Sequence, residues 1–424
     1  MQDSSTIKED INIHFARRFD KVRKQSLHLA APLKPEDTVV QPVVDVSPPK
    51  WHLAHTTWFF EQFLLIPFMK DYQTFNPSWH YLFNSYYDSV GDRVQRDQRG
   101  FITRPGLEEI KEYRAHVDMS MAIFLKGDTL SDEQQKILEI GLQHEQQHQE
   151  LLCYDIKRIL GFNPLRPAYR VAEERKHSDP RPLGWLAIPE GNYSIGHEGQ
   201  GFCFDNELGR HQVYLQAFEA GDRLVSNAEF IAFIEAGGYT DFRHWLSEGW
   251  GWVNDNEIKH PLYWQQEQDQ WYAYTYEGMR PINPADPVTH ISFYEADAFA
   301  RWKGKRLLTE FEWEVLCRHY EPTIPETATF VEKGLLHPQP AVPGHYQLHG
   351  DVWEWTNSAY LPYPYFQTDE GALGEYNGKF MINQMVLRGG SCVTPRDHIR
   401  PTYRNFFHPH LQWLFAGFRL ARHT

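Results

Sequence analysis

The chain has 424 residues, more than one hydrophobic core usually serves, so at least two domains are expected. Its 42 Lys and Arg stand against 56 Asp and Glu, a net charge of −14, which excludes a general affinity for nucleic acid or for an anionic membrane surface. Four scattered cysteines without a CxxC pair exclude a disulfide framework and a thiolate zinc knot; with no apolar leader and no long apolar run, a soluble cytoplasmic protein is expected.

Taken in chain order, the first part reads as four helices. Ile7–Ala31 carries a loose apolar stripe through Ile11, Phe15, Phe19 and Val22 and stops at Pro32. Ser47-Pro48, a cap residue followed by proline, opens a second helix that runs through Trp51-His-Leu-Ala-His55 to Leu64 and is limited by Pro67. A third extends from near Pro105 to Gly127, and a fourth from the capping box Ser131-Asp-Glu-Gln134 to Gly161. An antiparallel four-helix bundle over residues 1–161 is the natural solution. Between the second and third helices, residues 71–104 are too many for an ordinary connection and too aromatic for disorder, so a functional loop is expected.

Residues 162–184, rich in Pro, Arg and Glu, read as a linker. From Trp185 to Thr424 the chain turns to short alternating runs with frequent Gly, Pro and Asn. That texture predicts an irregular α+β domain with little regular sheet and two helices, Asn227–Glu235 and Tyr294–Lys303.

The sharpest chemical signal is His144-Glu-Gln-Gln-His148. Residues four apart share a helical face, so two imidazoles there can converge on one ion, and bundle cores build metal sites from facing helices. A third ligand is available from His52 or His55, which spacing alone does not separate, and no Asp or Glu stands at an equally suggestive position. Three nitrogen ligands leave coordination positions open, as catalytic metal sites do; zinc, iron(II) and copper all accept imidazole. In the long loop, Arg93, Arg96 and Arg99 stand three apart, suited to gripping a carboxylate with two-pronged hydrogen bonds. Tyr86 and Tyr87 supply phenols able to deliver a proton beside a metal.

The first part resembles a DinB-like four-helix bundle. The second resembles the formylglycine-generating-enzyme and sulfatase-modifying fold, a C-type-lectin-like domain, through six ordered blocks: Ile188-Pro-Glu-Gly-Asn-Tyr-Ser-Ile-Gly196, Pro287-Val-Thr-His-Ile-Ser-Phe-Tyr294, Gly304-Lys-Arg-Leu-Leu-Thr-Glu-Phe-Glu-Trp313, Gly350-Asp-Val-Trp-Glu-Trp-Thr356, Leu387-Arg-Gly-Gly-Ser391 and Phe415-Ala-Gly-Phe-Arg-Leu-Ala-Arg422. The two together, with Trp51-His-Leu-Ala-His55 and the His144/His148 pair, resemble the ergothioneine-pathway sulfoxide synthases of EgtB type.

What the resemblance implies is a non-haem iron(II) enzyme that joins a cysteine-containing thiol to C2 of the imidazole of hercynine (Nα-trimethylhistidine), with dioxygen as oxidant and a sulfoxide as product. It implies His55, His144 and His148 as Fe(2+) ligands and Gln147 as a hercynine contact. Arg96 and Arg99 are implied for the thiol substrate, and Tyr86 and Tyr87 match the tyrosine pair of cysteine-using members. Asn405, Phe406 and Phe407 match a hercynine-contacting segment, with Asn405 on the carboxylate and the two rings as walls. Members that use γ-glutamylcysteine have an aspartate where Phe407 stands, so free cysteine is expected here.

The chemistry is self-consistent: forming C–S and S=O bonds removes four electrons from the two substrates, which dioxygen takes without another reductant. A trimethylammonium donates no conventional hydrogen bond and is best held by aromatic faces. The expected active site lies between the domains, with Tyr363 and Tyr365 as further candidate proton donors and Trp313, Trp353 and Trp355 as core.

Sulfatase maturation is rejected, because it needs two cysteines in the C-terminal part and only Cys392 follows Cys317. Three rivals remain: an ovothiol-type 5-histidylcysteine sulfoxide synthase or a selenium-transferring relative; a zinc-dependent DinB-like thiol transferase, which explains the first half only; and a lectin-like binding module, which leaves Tyr86, Arg96 and Arg99 unexplained.

Overall fold

The computed structural model describes residues 4–85, 87, 91–172, 177–368, 374 and 377–424. The chain divides into two compact units, Met1–Arg170 and Val171–Thr424.

The first unit is helical: α1 (Ser4–Ala30), α2 (Pro49–Phe60), the single turn α3 (Ile66–Phe68), the short α4 (Trp79–Phe83), α5 (Leu107–Phe124) and α6 (Asp132–Phe162). α2 packs against both α5 and α6, and α1 against α6. All twelve residues of α2 are buried, the pattern of a helix enclosed on every side. Its start lies one residue later than expected, with Pro48 as cap and Pro49 in the first turn. The physical reason is that Ser47 is occupied elsewhere: its N–H donates to Asp155 Oδ2 at 2.8 Å and its hydroxyl accepts from Arg99 Nη1 at 2.9 Å. Past Phe60 the helix widens into a π-type turn, Glu61–Leu65. Glu61 is there reached by the hydroxyls of Tyr72 and Tyr113 at 2.7 and 2.6 Å.

α6 begins with the reciprocal cap read from the sequence, Gln134 N–H to Ser131 Oγ and Ser131 N–H to Gln134 Oε1. Near its middle, Gly141 touches α2 closely: a Cβ there would stand 2.6 Å from Phe60 Cε1 and 2.9 Å from Phe59 Cε1. On the α1 and α5 sides the helices are pinned by Glu145, which accepts from Arg23 and Arg114, each at 2.9 Å, and from Ser26.

The described residues of the second unit form four small sheets. Their strands are β1 (Trp185–Ile188), β2 (Gly191–Ile195), β3 (His211–Leu215), β4 (Phe218–Gly221), β5 (Trp264–Glu267), β6 (Gln270–Thr275), β7 (Gly278–Pro281), β8 (Arg306–Leu307), β9 (Trp353–Ala359), β10 (Met385–Arg388), β11 (Asn405–Phe407), β12 (Ala416–Gly417) and β13 (Leu420–His423). They order as β1-β4-β13-β8, β11-β10-β9-β12, β2-β3 and β5-β6-β7, all antiparallel except β12 beside β9. No described strand exceeds seven residues, which fits the expectation of little regular sheet.

The described helices here are four rather than the two expected: α7 (Asn227–Glu235), α8 (Ser247–Asp255), α9 (Phe293–Trp302) and α10 (Glu310–Tyr320). α8 escapes a sequence reading because Gly249 and Gly251 depress helix propensity. Gly249 is needed for packing, since a Cβ there would stand 3.0–3.2 Å from the Tyr294 side chain. α10 carries a capping box, Thr309 with Glu312, that marks its start. Trp313, Trp353 and Trp355 are buried core.

The centre of this unit is a matched network of charges. Glu310 receives a two-pronged bond from Arg404 (2.8 and 3.0 Å) and bonds from Arg388 and Tyr363, each at 3.0 Å. Arg388 also reaches Glu314 at 3.3 Å.

Candidate metal centre

Three imidazoles meet in the core of the helical unit: His55 from α2, and His144 and His148 one turn apart on α6. One ligand nitrogen from each lies within 4.8 Å of the others, and all three residues are buried. The ring centroids form a nearly equilateral triangle with sides of 4.9, 4.6 and 4.8 Å. His55 Nε2 stands 3.1 Å from His144 Nε2. Two imidazoles bound to one ion at about 2.1 Å and at right angles place their nitrogens roughly 3.0 Å apart, so this spacing suits a shared metal.

The proton inventory fits as well. His55 Nδ1 donates to the carbonyl of Phe83 at 2.6 Å, which leaves Nε2 as a lone pair. Burial holds the His144 ring down to about 3, and burial followed by the neighbouring imidazoles holds His55 and His148 well below the ordinary histidine range. All three are therefore neutral imidazoles at physiological pH, able to ligate a metal without first losing a proton.

His52, the alternative that spacing left open, stands behind His148. The two Nδ1 atoms are 2.8 Å apart, and His52 Nε2 faces Asp155 Oδ2 at 2.8 Å. Asp155 was not singled out from the sequence. The signal available was its position seven residues after His148, hence on the same face of α6.

His55 is also held from both sides by aromatic rings. Trp51 stacks on it at 4.6 Å and 13°, Trp58 at 5.6 Å and 17°, because residues 51, 55 and 58 share one face of α2. Over the far face of Trp51 lies the guanidinium of Arg99, 3.5 Å from the ring centroid. Arg99 is 6% exposed, and among the described residues its hydrogen-bond partners are the hydroxyls of Ser47 and Ser85, with none at its Nε. Burial, reinforced by Arg96 and Arg93, lowers its pKa to about 9, so it remains a cation at neutral pH. A buried cation whose described partners are hydroxyls has the chemistry to receive a carboxylate.

The remaining expected site residues are distributed as follows. Arg96 is exposed and donates to the carbonyl of Asp45 at 2.6 Å, so the structure separates it from Arg99. Tyr86 lies outside the described residues. Tyr87 is buried against Trp58, Phe59 and Phe63, and Trp58 and Phe59 in turn touch His55 and His144. Gln147 is half-buried and lies three residues after His144, on the ligand side of α6.

In the second unit, Asn405, Phe406 and Phe407 form β11, where alternation puts Phe406 on the face opposite the other two. Phe406 stacks on Tyr360 at 4.0 Å and 8°, and Phe407 meets Trp413 edge-on at 5.4 Å. Tyr363 is committed to Glu310 and Arg388, whereas Tyr365 is exposed.

Comparison with known proteins adds two family matches and three similar relatives. Residues 171–333 and 337–424 match the family described as sulfatase-modifying factor enzyme 1-like domain, and residues 18–152 match the DinB superfamily. The chain is similar to a hercynine oxygenase of Mycolicibacterium thermoresistibile (34% identity over 243 residues, 52% of this chain and 54% of that protein), so the match spans about half the length of that relative. It is also similar to a hercynine oxygenase of Mycolicibacterium smegmatis (28% over 406 residues, 89% and 91%) and to a formylglycine-generating enzyme of Streptomyces coelicolor (28% over 265 residues, 50% and 79%).

Proposed function

We propose, for a chain that belongs to the sulfatase-modifying factor enzyme 1-like family and joins that domain to a DinB-type bundle, an iron(II)-dependent sulfoxide synthase activity. It couples the sulfur of cysteine to C2 of the hercynine imidazole. The observation that carries this reading is the meeting of His55, His144 and His148 beside the buried cation of Arg99, in a chain similar to two hercynine oxygenases.

The reaction balances as hercynine, cysteine and dioxygen giving hercynyl cysteine sulfoxide and one water. The C2–H and S–H bonds break, C–S and S=O bonds form, and the second oxygen atom leaves as water. Bound at the three histidines, iron(II) supplies the redox chemistry with dioxygen and the acidity that turns a thiol into a thiolate.

The protein's own groups do the rest. His55, His144 and His148 hold the ion from one side. Arg99 takes the cysteine carboxylate, its charge strengthened by the absence of water around it, and Arg96 adds positive potential at the loop surface. Tyr87, with Tyr86, holds a proton at its phenol oxygen for transfer to reduced oxygen. Gln147 orients hercynine, Asn405 takes its carboxylate, and Phe406 and Phe407 supply the apolar wall. An apolar Phe407 set against Trp413 offers no acid for a glutamyl amine, which supports free cysteine as the thiol. No described helix is long and apolar enough to cross a membrane.

Aerobic incubation with iron(II), hercynine and either cysteine or γ-glutamylcysteine, read by mass spectrometry, tests the proposal. A hercynyl cysteine sulfoxide, favoured with cysteine, is the expected product. A sulfoxide formed on histidine in preference to hercynine, or no C–S product with either thiol, overturns it.

A further inference from the structure

Asp155, His52 and His148 form a continuous hydrogen-bonded file that ends at the histidine cluster. Asp155 Oδ2 accepts the backbone N–H of Ser47 at 2.8 Å and lies 2.8 Å from His52 Nε2. A carboxylate only accepts, so a neutral His52 carries its proton on Nε2 and presents a lone pair at Nδ1. The facing nitrogen, His148 Nδ1, must then be the donor, and His148 Nε2 becomes the nitrogen left for an ion. All of these groups are buried, with His52 3% and Asp155 2% exposed, so water does not compete for either bond.

We propose that Asp155 and His52 are positioning residues that fix the tautomer and ring orientation of His148 and so set how tightly the bundle holds its metal. The file does for His148 what the Phe83 carbonyl does for His55, with a second imidazole interposed between ligand and carboxylate. The interposed ring gives the arrangement a testable asymmetry. An amide oxygen at position 52 can replace the lone pair of His52 Nδ1, whereas an apolar side chain cannot. The inference rests on reading the three histidines as metal ligands, and is independent of the substrates.

The test uses the full chain loaded with cobalt(II), with affinity measured by chelator competition and the imidazole N–H protons observed as strongly shifted, exchangeable proton resonances. His52→Leu is expected to weaken cobalt(II) binding roughly 10–100-fold, and His52→Gln to restore most of it. His52→Gln is also expected to move one exchangeable imidazole resonance and leave the others in place. A His52→Leu affinity within threefold of the wild type overturns the proposal. If that variant does not fold, the resonance in His52→Gln decides alone, and an unshifted spectrum overturns it. Failure of the wild-type protein to bind cobalt(II) would instead remove the three-histidine centre, and this proposal with it.

Discussion

Glu310 and His144 both sit in the interior of their units, in surroundings built on opposite terms. Around Glu310 every charge finds its opposite, with Arg404 and Arg388 on the carboxylate and Glu314 beside them. Around His144 the neighbours are like with like: two more imidazoles, each kept neutral by burial, and, stacked on the Trp51 ring next to His55, a guanidinium whose described hydrogen-bond partners are hydroxyls. A matched network is complete and reads as scaffold, even where a buried ion pair adds little net stability. Three converging imidazoles beside a cation whose described hydrogen-bond partners are hydroxyls read instead as a place where something else can bind. Burial and polarity are common to both; what separates them is whether the valences are already used.

That contrast can be broken in graded steps. Replacing His148 with Ala removes one of the three nitrogens and is expected to abolish iron retention and turnover, read by metal analysis and product formation; normal activity would refute the ligand assignment. Glu310→Gln leaves Arg388 and Arg404 facing an amide, and is expected to cost about 3–5 kcal/mol in urea unfolding while cobalt(II) affinity in the bundle stays unchanged. Tyr87→Phe removes a proton source without changing the ring packing, and is expected to slow sulfoxide formation roughly 100-fold at unchanged metal content. Arg99→Lys keeps the charge but loses the planar fork over Trp51, with an expected rise in the KM for cysteine of roughly 10-fold and none in the KM for hercynine. The smallest effect is expected from Gly141→Ala, where a methyl group presses on Phe59 and Phe60 at a cost of about 1–3 kcal/mol in thermal unfolding.

Much of this architecture was legible in the sequence because helices announce their ends. Ser131 with Gln134 marked α6, and the four-residue spacing of His144 and His148 put both rings on one face. The choice between His52 and His55 was not available from spacing, since three residues apart on α2 leaves both near the same side. What distinguishes them is Asp155 on another helix and the Phe83 carbonyl from another segment, and neither is a local property of α2. α8 was hidden for the reverse reason: Gly249 weakens the local signal in order to satisfy a contact with Tyr294. Arg96 and Arg99 looked equivalent at three-residue spacing, but the 3-10 turn Arg96–Phe101 turns Arg99 inward onto Trp51 and leaves Arg96 at the surface. Loop periodicity carries no information about which side faces the core.

The close approach at Gly141 has a consequence for how this centre can change over time. The gap between the two ligand-bearing helices is gauged by a residue that coordinates nothing and whose whole contribution is a hydrogen atom where others carry carbon. Because alanine is one base away from glycine in the genetic code, the spacing between the two helices can be altered in descendants by a single mutation that leaves all three histidines untouched.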